Sequence, residues 1–227
     1  MITYEELLAE LRANSDESYR SFHKKLLKND DIQVLGVKVP VLRGIAKRLR
    51  ADWREVLTFP DEYYEVTFIK CTLVGALPYE EFIVQLDTVL PLLNNWATCD
   101  CFTAPCIKKN REAFLPVIEK CFLDEREFIK RYALVALLHD YVEEKYLPVI
   151  FSYLLRCKEE KYYVMMAAAW LFAEVLVKFY DAGAEFLKEG KLDREIAKKG
   201  IRKACESFRL TKEQKDNLKT LDKLQNM

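Results

Sequence analysis

Glycine and proline are scarce, at 6 and 7 of 227 residues. Both punctuate turns and sheets, so their scarcity argues against a hairpin-rich β protein and for helices with short connections. Histidine is scarcer still, with only His23 and His139. A Ser-His-Asp or Cys-His arrangement therefore has little to draw on. The chain has no Walker-type phosphate loop and no Gly-x-Gly-x-x-Gly segment. No apolar run approaches the roughly 18 residues that cross a bilayer, so no membrane partner is expected. Met1 to Leu11 is acidic and amphipathic, without a basic segment leading into an apolar one, and no secretory leader is expected. Seven cysteines make an odd count, a poor fit to a closed disulfide framework. Reduced thiols and a cytoplasmic location are expected. Cys99, Cys101 and Cys106 lack paired Cys-x-x-Cys spacing. On a helix the first two point about 200° apart and cannot share a metal, so buried thiols are expected there.

What is present is the composition of a folded globular chain, 51% hydrophobic and 32% charged. The 36 basic and 36 acidic residues cancel, which does not by itself advertise a nucleic-acid binder. The charge is unevenly placed, however. From Lys188 to Met227 twelve Lys or Arg face seven Asp or Glu, a net of +5, and the first 187 residues carry −5. A second basic stretch holds Lys38, Arg43, Lys47, Arg48 and Arg50. Solvated helix faces produce such runs too.

Apolar residues recur at helical spacing along most of the chain. Gly36 and Pro40 punctuate the segment 35–43, and Pro40 suits the first turn of a helix from about Val41 to Leu49. Asp52 is expected to cap the next short helix. There is a weak internal repeat. Phe68-Ile69-Lys70 runs into Leu73 to Leu77, Phe128-Ile129-Lys130 into Leu134 to Leu138, and Tyr163 to Met166 into Ala167 to Leu171. Helix pairs at such intervals characterise solenoids, where each pair buries its apolar face on its neighbours. The expected architecture is an all-α solenoid forming a single domain over 1–227, with N-terminal helices at about 1–58, repeats at about 59–180 and basic C-terminal helices at about 184–227. The best candidate joint is Asp181 to Gly183. A non-repeating bundle of amphipathic helices is the alternative.

Trp96 and Asp100 are four residues apart and share a face if helical. Arg131 and Trp170 fall on the helices that the repeat makes equivalent. An aromatic, a carboxylate, an arginine and a second aromatic on one groove suit a specific chemistry. A purine alkylated at N3 or N7 is cationic and its glycosidic bond is weak. Cleavage develops oxocarbenium character on the sugar, which a fixed carboxylate stabilises while orienting water. Indole faces attract cationic groups, and guanidinium grips phosphate. Core anchoring for each tryptophan and surface roles for Asp100 and Arg131 are the plainer alternatives.

The segments Phe22 to Leu26 and Leu35 to Lys47, then Asn95-Trp-Ala-Thr-Cys-Asp100, Phe128-Ile-Lys-Arg-Tyr-Ala133, Trp170, and Leu192 through Arg209 together resemble the bacterial DNA alkylation repair family of HEAT-like-repeat DNA glycosylases. The resemblance covers roughly residues 20–210. It implies a right-handed superhelix of HEAT-like repeats with a concave groove that holds alkylated duplex DNA, and it implies no cofactor or metal. In that family's terms Trp96 and Trp170 pack against the sugar of the damaged nucleotide, Asp100 stabilises the oxocarbenium ion, and Arg131 grips backbone phosphate. Lys38, Arg43, Lys47, Lys198, Lys199 and Arg202 become the further DNA-binding residues of a monomer. The chain departs from the pattern at Asn95, where an aromatic is expected, and at Met165, Met166 and Ala173, where basic residues are expected. A DNA binder without glycosidic chemistry and a protein-interaction scaffold are the competing functions.

Overall fold

The structure is a computed structural model, and it describes residues 2–27, 29 and 31–224. The last three residues of the expected C-terminal segment, 225–227, lie outside the described residues, as do 1, 28 and 30. Among the described residues the chain is all-helical and has no β-strand; an isolated bridge joins Gln33 to Tyr63. It forms two compact units, one running to Asn110 and the other from Arg111.

The first unit holds α1 (Tyr4–Ala13), α2 (Glu17–Leu27), α3 (Val39–Arg48), α4 (Trp53–Leu57), α5 (Tyr64–Gly75), α6 (Tyr79–Val89) and α7 (Trp96–Cys101). Local sequence sets several starts. Thr3 and Glu6 form a reciprocal capping box on α1. Pro40 sits in the first turn of α3, where its missing N–H costs nothing. Helix α5 is the axis of the unit. Nearly every residue on it is buried, which is how a helix that is apolar all round must sit.

Two charged residues on α5 are buried with it. The Lys70 ammonium, 2% exposed, meets Asp61 at 2.6 Å and the carbonyl of Phe59. The Glu65 carboxylate, fully buried, accepts backbone N–H groups from Leu35, Gly36 and Val37 at 3.0, 2.8 and 3.2 Å. Successive N–H groups turned to one point make a concavity for an anion, and Glu65 fills it. Gly36 makes the turn possible. Its φ is +94°, and a Cβ there would lie 2.6 Å from both the carbonyl of Asp16 and Cβ of Arg20. This one carboxylate thus anchors the chain entering α3 to α5.

The second unit holds α8 (Arg111–Phe122), α9 (Glu127–Asp140), α10 (Leu147–Arg156), α11 (Tyr162–Lys178), α12 (Tyr180–Lys188), α13 (Arg194–Cys205) and α14 (Lys212–Leu224). Helix α11 packs on both α9 and α13. Small residues allow the close approach to α13: a Cβ on Gly200 would meet Phe172 at 2.8 Å and the carbonyl of Ala169 at 3.1 Å. Asp193 caps α13 by accepting the N–H groups of Glu195 and Ile196. Ile196, Ala197, Gly200, Ile201 and Ala204 form its buried stripe, leaving its cations on the other side.

The repeated segments fall on α5, α9 and α11. Three local expectations are corrected. Helix α3 begins two residues earlier than expected and ends in a 3-10 turn over Leu49–Asp52. Asp52 does not cap α4 with its side chain, because that turn leads directly into the helix. Asp181 to Gly183 is no joint. It lies inside α12, where Gly183 lets the helix approach Leu176.

Glu65→Gln exchanges an acceptor of three N–H groups for an amide with one oxygen, whose NH2 meets donors. A loss of about 1–3 kcal/mol in unfolding free energy is expected by denaturant titration, with Gly36→Ala similarly damaging. Unchanged midpoints in both variants would remove this contact from the fold's support.

Candidate functional site

Helix α7 is a short helix whose start is set by Asn95. Its Oδ1 accepts the N–H of Thr98 at 2.9 Å, and its Nδ2 donates to Thr98 Oγ1 at 3.1 Å. Asn95 is 1% exposed, so the departure seen in the sequence has a structural cause: this position is an N-cap, which no aromatic can supply. Trp96 follows as the first helical residue. It is half-buried, and its Nε1 donates to the carbonyl of Leu26 on α2 at 3.3 Å. Asp100 lies one turn further along, also half-buried. The indole and the carboxylate therefore share one rigid helix, with the indole held from behind.

Beside them, Cys101 is half-buried near the Arg43 guanidinium. Burial pushes its thiol pKa up, against the opposing pull of the guanidinium. Arg43, Lys47 and Arg50 are exposed on α3 and the turn after it, and all three line one cavity. The rest of the basic stretch is neutralised locally. Lys38 lies 3.8 Å from Asp16, and Arg48 pairs with Glu10.

Trp170 and Arg131 belong to the second unit. Trp170 is half-buried on α11 with two cations near its ring, Arg131 Cζ at 5.8 Å and Lys203 Nζ at 5.9 Å from the centroid. Arg131 is not placed as the sequence suggested. It is 2% exposed, and its Nη1 donates to the carbonyl of Tyr163. A phosphate grip needs an open guanidinium; in this conformation Arg131 instead fixes the start of α11 and faces the indole. The expected basic neighbours are absent at Met165, Met166 and Ala173, yet cations reach Trp170 from α9 and α13.

Sequence reasoning missed Lys203. It was one of five cations on α13, and only the packing against α11 shows which of them meets the indole. A cavity of about 410 Å³ opens there, lined by Trp170, Ala173, Glu174, Lys203, Glu206 and Arg209 among others. Its charges are paired, Lys203 with Glu206 at 2.9 Å and Arg209 with Glu174 at 3.1 Å. The Lys203 hydrogen bond holds the Glu206 carboxyl below its usual range. Lys198 and Arg202 are exposed and Lys199 half-buried, and none has an ion-pair partner among the described residues. These cations are available to phosphate.

His23 also escaped the sequence reading. It lies on α2, three residues before Leu26, and is 4% exposed. Its ring stacks on Tyr19 at 5.5 Å and meets Tyr64 at 4.6 Å. Among the described residues its Nε2 has no hydrogen-bond partner. Burial in this apolar setting lowers its pKa.

No group of three or more His, Cys, Asp or Glu among the described residues is arranged to hold a metal, and no helix among them is long and apolar enough to cross a membrane. The family model described as DNA alkylation repair enzyme matches residues 6–208. No curated protein and no solved structure matches the chain.

The depressed pKa of His23 has a defined sign. Unfolded histidine takes its proton near pH 6.5, and the buried ring only at lower pH. His23 therefore leaves stability unaffected above about pH 6.5 and lowers it as pH falls from there toward the folded value. Urea titrations across that window should show this acid slope in the parent chain and a shallower one in His23→Gln; equal slopes would place the sensitivity elsewhere.

Proposed function

Because the chain belongs to the DNA alkylation repair enzyme family, we propose that it is a DNA glycosylase hydrolysing the N-glycosidic bond of purines alkylated at N3 or N7 in duplex DNA. The observation that carries this reading is the Trp96–Asp100 pair, one turn apart on a capped helix, with the indole pinned to Leu26. The electron pair of the breaking C–N bond passes to the base and cancels its cationic charge. The sugar is left as an oxocarbenium ion. Asp100 stabilises that charge and orients the water that adds at C1′, which then loses a proton. Trp96 and Trp170 pack against the sugar of the damaged nucleotide. Arg131 acts by fixing α11 and the indole of Trp170, and it meets phosphate only by leaving the carbonyl of Tyr163. Arg43, Lys47, Lys198, Lys199 and Arg202, with Lys38 in a lesser part because of Asp16, hold backbone phosphates of the same duplex. On this reading the helix pairs continue as HEAT-like repeats of one right-handed superhelix with a concave groove. The protein acts as a cytoplasmic monomer.

A second reading is a DNA binder without glycosidic chemistry. The open cations Lys198, Lys199 and Arg202 favour it, since they suit phosphate contact whatever happens at Asp100.

The test is base release from a duplex carrying one 7-methylguanine. Asp100→Asn is expected to keep its helicity and DNA affinity and to lose about 10²-fold or more in single-turnover rate. Release that is equally fast in the variant removes Asp100 from the reaction, and no release by the parent chain leaves the binding reading. In either case Lys198→Gln with Lys199→Gln should flatten the salt dependence of binding by roughly one to two phosphate contacts.

A further inference from the structure

The cations of the N-terminal basic stretch divide into two sets. Arg48 pairs with Glu10, Lys38 with Asp16 and, on α4, Arg54 with Glu81 at 3.1 Å. Arg43, Lys47 and Arg50 have no carboxylate partner among the described residues, and these three turn toward one cavity. Their spacing of four and three residues puts them on one face of α3 and its continuation. No carboxylate lines the cavity. Its floor is the last turn of α5. There Gly75 lets the chain after α7 come in so closely that a Cβ would lie 2.3 Å from the carbonyl of Thr103. Leu73, Leu77 and Pro105 supply apolar wall, and Cys101 and Cys106 also face the space.

The cavity measures about 550 Å³. That exceeds what a bare phosphate needs and lies in the range of small-molecule sites with apolar walls and a few polar anchors. Three cations without counter-charge also exceed the single charge of a phosphodiester in a continuous strand. A terminal phosphomonoester carries about −1.5 to −2 near neutrality and matches them better. We infer that this cavity is a binding site for a nucleotide bearing a terminal phosphomonoester, its phosphate on Arg43, Lys47 and Arg50 and its sugar and base against Leu73, Leu77 and Pro105. The ligand is a phosphorylated strand end or a free nucleoside monophosphate. The site shares Arg43 and Lys47 with the proposed duplex contacts, but its preference for a terminal phosphate does not depend on the glycosidic reaction.

The two thiols provide a readout. Cys101 and Cys106 line the cavity, whereas Cys205 is a half-buried thiol of the second unit and serves as an internal reference. The full chain is titrated with undamaged duplexes that differ only in carrying phosphate or hydroxyl at their 5′ and 3′ ends. It is titrated in parallel with deoxynucleoside monophosphates and the corresponding nucleosides. Iodoacetamide labelling of each cysteine is mapped by mass spectrometry. The phosphorylated ligand is expected to bind about tenfold or more tightly than its hydroxyl counterpart and to slow labelling of Cys101 and Cys106 but not of Cys205. Lys47→Gln with Arg50→Gln, both at exposed positions, should abolish the preference and the protection while leaving helicity unchanged. Preference shown by duplex ends and not by free nucleotides assigns the site to strand ends; the converse assigns it to nucleotides. Equal binding of phosphate and hydroxyl forms without protection overturns the inference, as does a preference that survives in the double variant. The ligands carry no lesion, so neither result depends on base release.

Discussion

The first unit depends on one buried carboxylate. Glu65 sits inside the protein with no cation beside it among the described residues; its charge is met by the N–H groups of residues 35–37. Burying an ion is costly unless every lone pair finds a donor. That requirement constrains the chain, because the turn must present three N–H groups to one point and does so with Gly36 at a positive φ. Helix α3 leaves from this turn, so the directions of Arg43, Lys47 and Arg50 follow from it. Helix α5 carries Glu65 at one end and the floor of the basic cavity at the other. The basic cavity therefore stands on the same contact as the fold of this unit.

In the second unit the governing constraint is close helix approach. Gly200 and the alanines of α11 bring α13 in so tightly that no added methyl fits. That proximity puts Lys203 over Trp170 and sets a cavity of paired charges beside the indole. The two tryptophans thus sit in different electrostatic settings. Trp96 has a carboxylate one turn away and a backbone carbonyl on its Nε1, and Trp170 has two cations near its ring.

Net neutrality conceals a division of labour among cations. Some are bound to carboxylates within their own unit, such as Arg111 to Glu143 at 2.6 Å and Arg156 to Glu119 at 2.7 Å, and these stitch helices together. Others, among them Lys47, Arg50, Lys198 and Arg202, are exposed without such partners among the described residues. Only the second set can release counterions on meeting a phosphate. A count of charges therefore says little about nucleic-acid binding until the pairs are removed from it.

The sequence alone determined the helical class, because scarce glycine and proline and a 3.6-residue apolar period are local signals. It also determined that Trp96 and Asp100 lie one turn apart on a shared helix and that the segments around Phe68, Phe128 and Tyr163 are helical. Pairing over distance was not legible. Nothing near Glu65 indicates that its partners lie about thirty residues earlier, and nothing near Arg131 indicates that its guanidinium is enclosed against Tyr163. Asn95 looked like a lost aromatic until its neighbours showed it to be a cap, and Lys203 was indistinguishable from the other cations of its helix. Tertiary structure decided these points because burial and ion pairing depend on which surfaces meet, and helical periodicity specifies only which side of each helix is apolar.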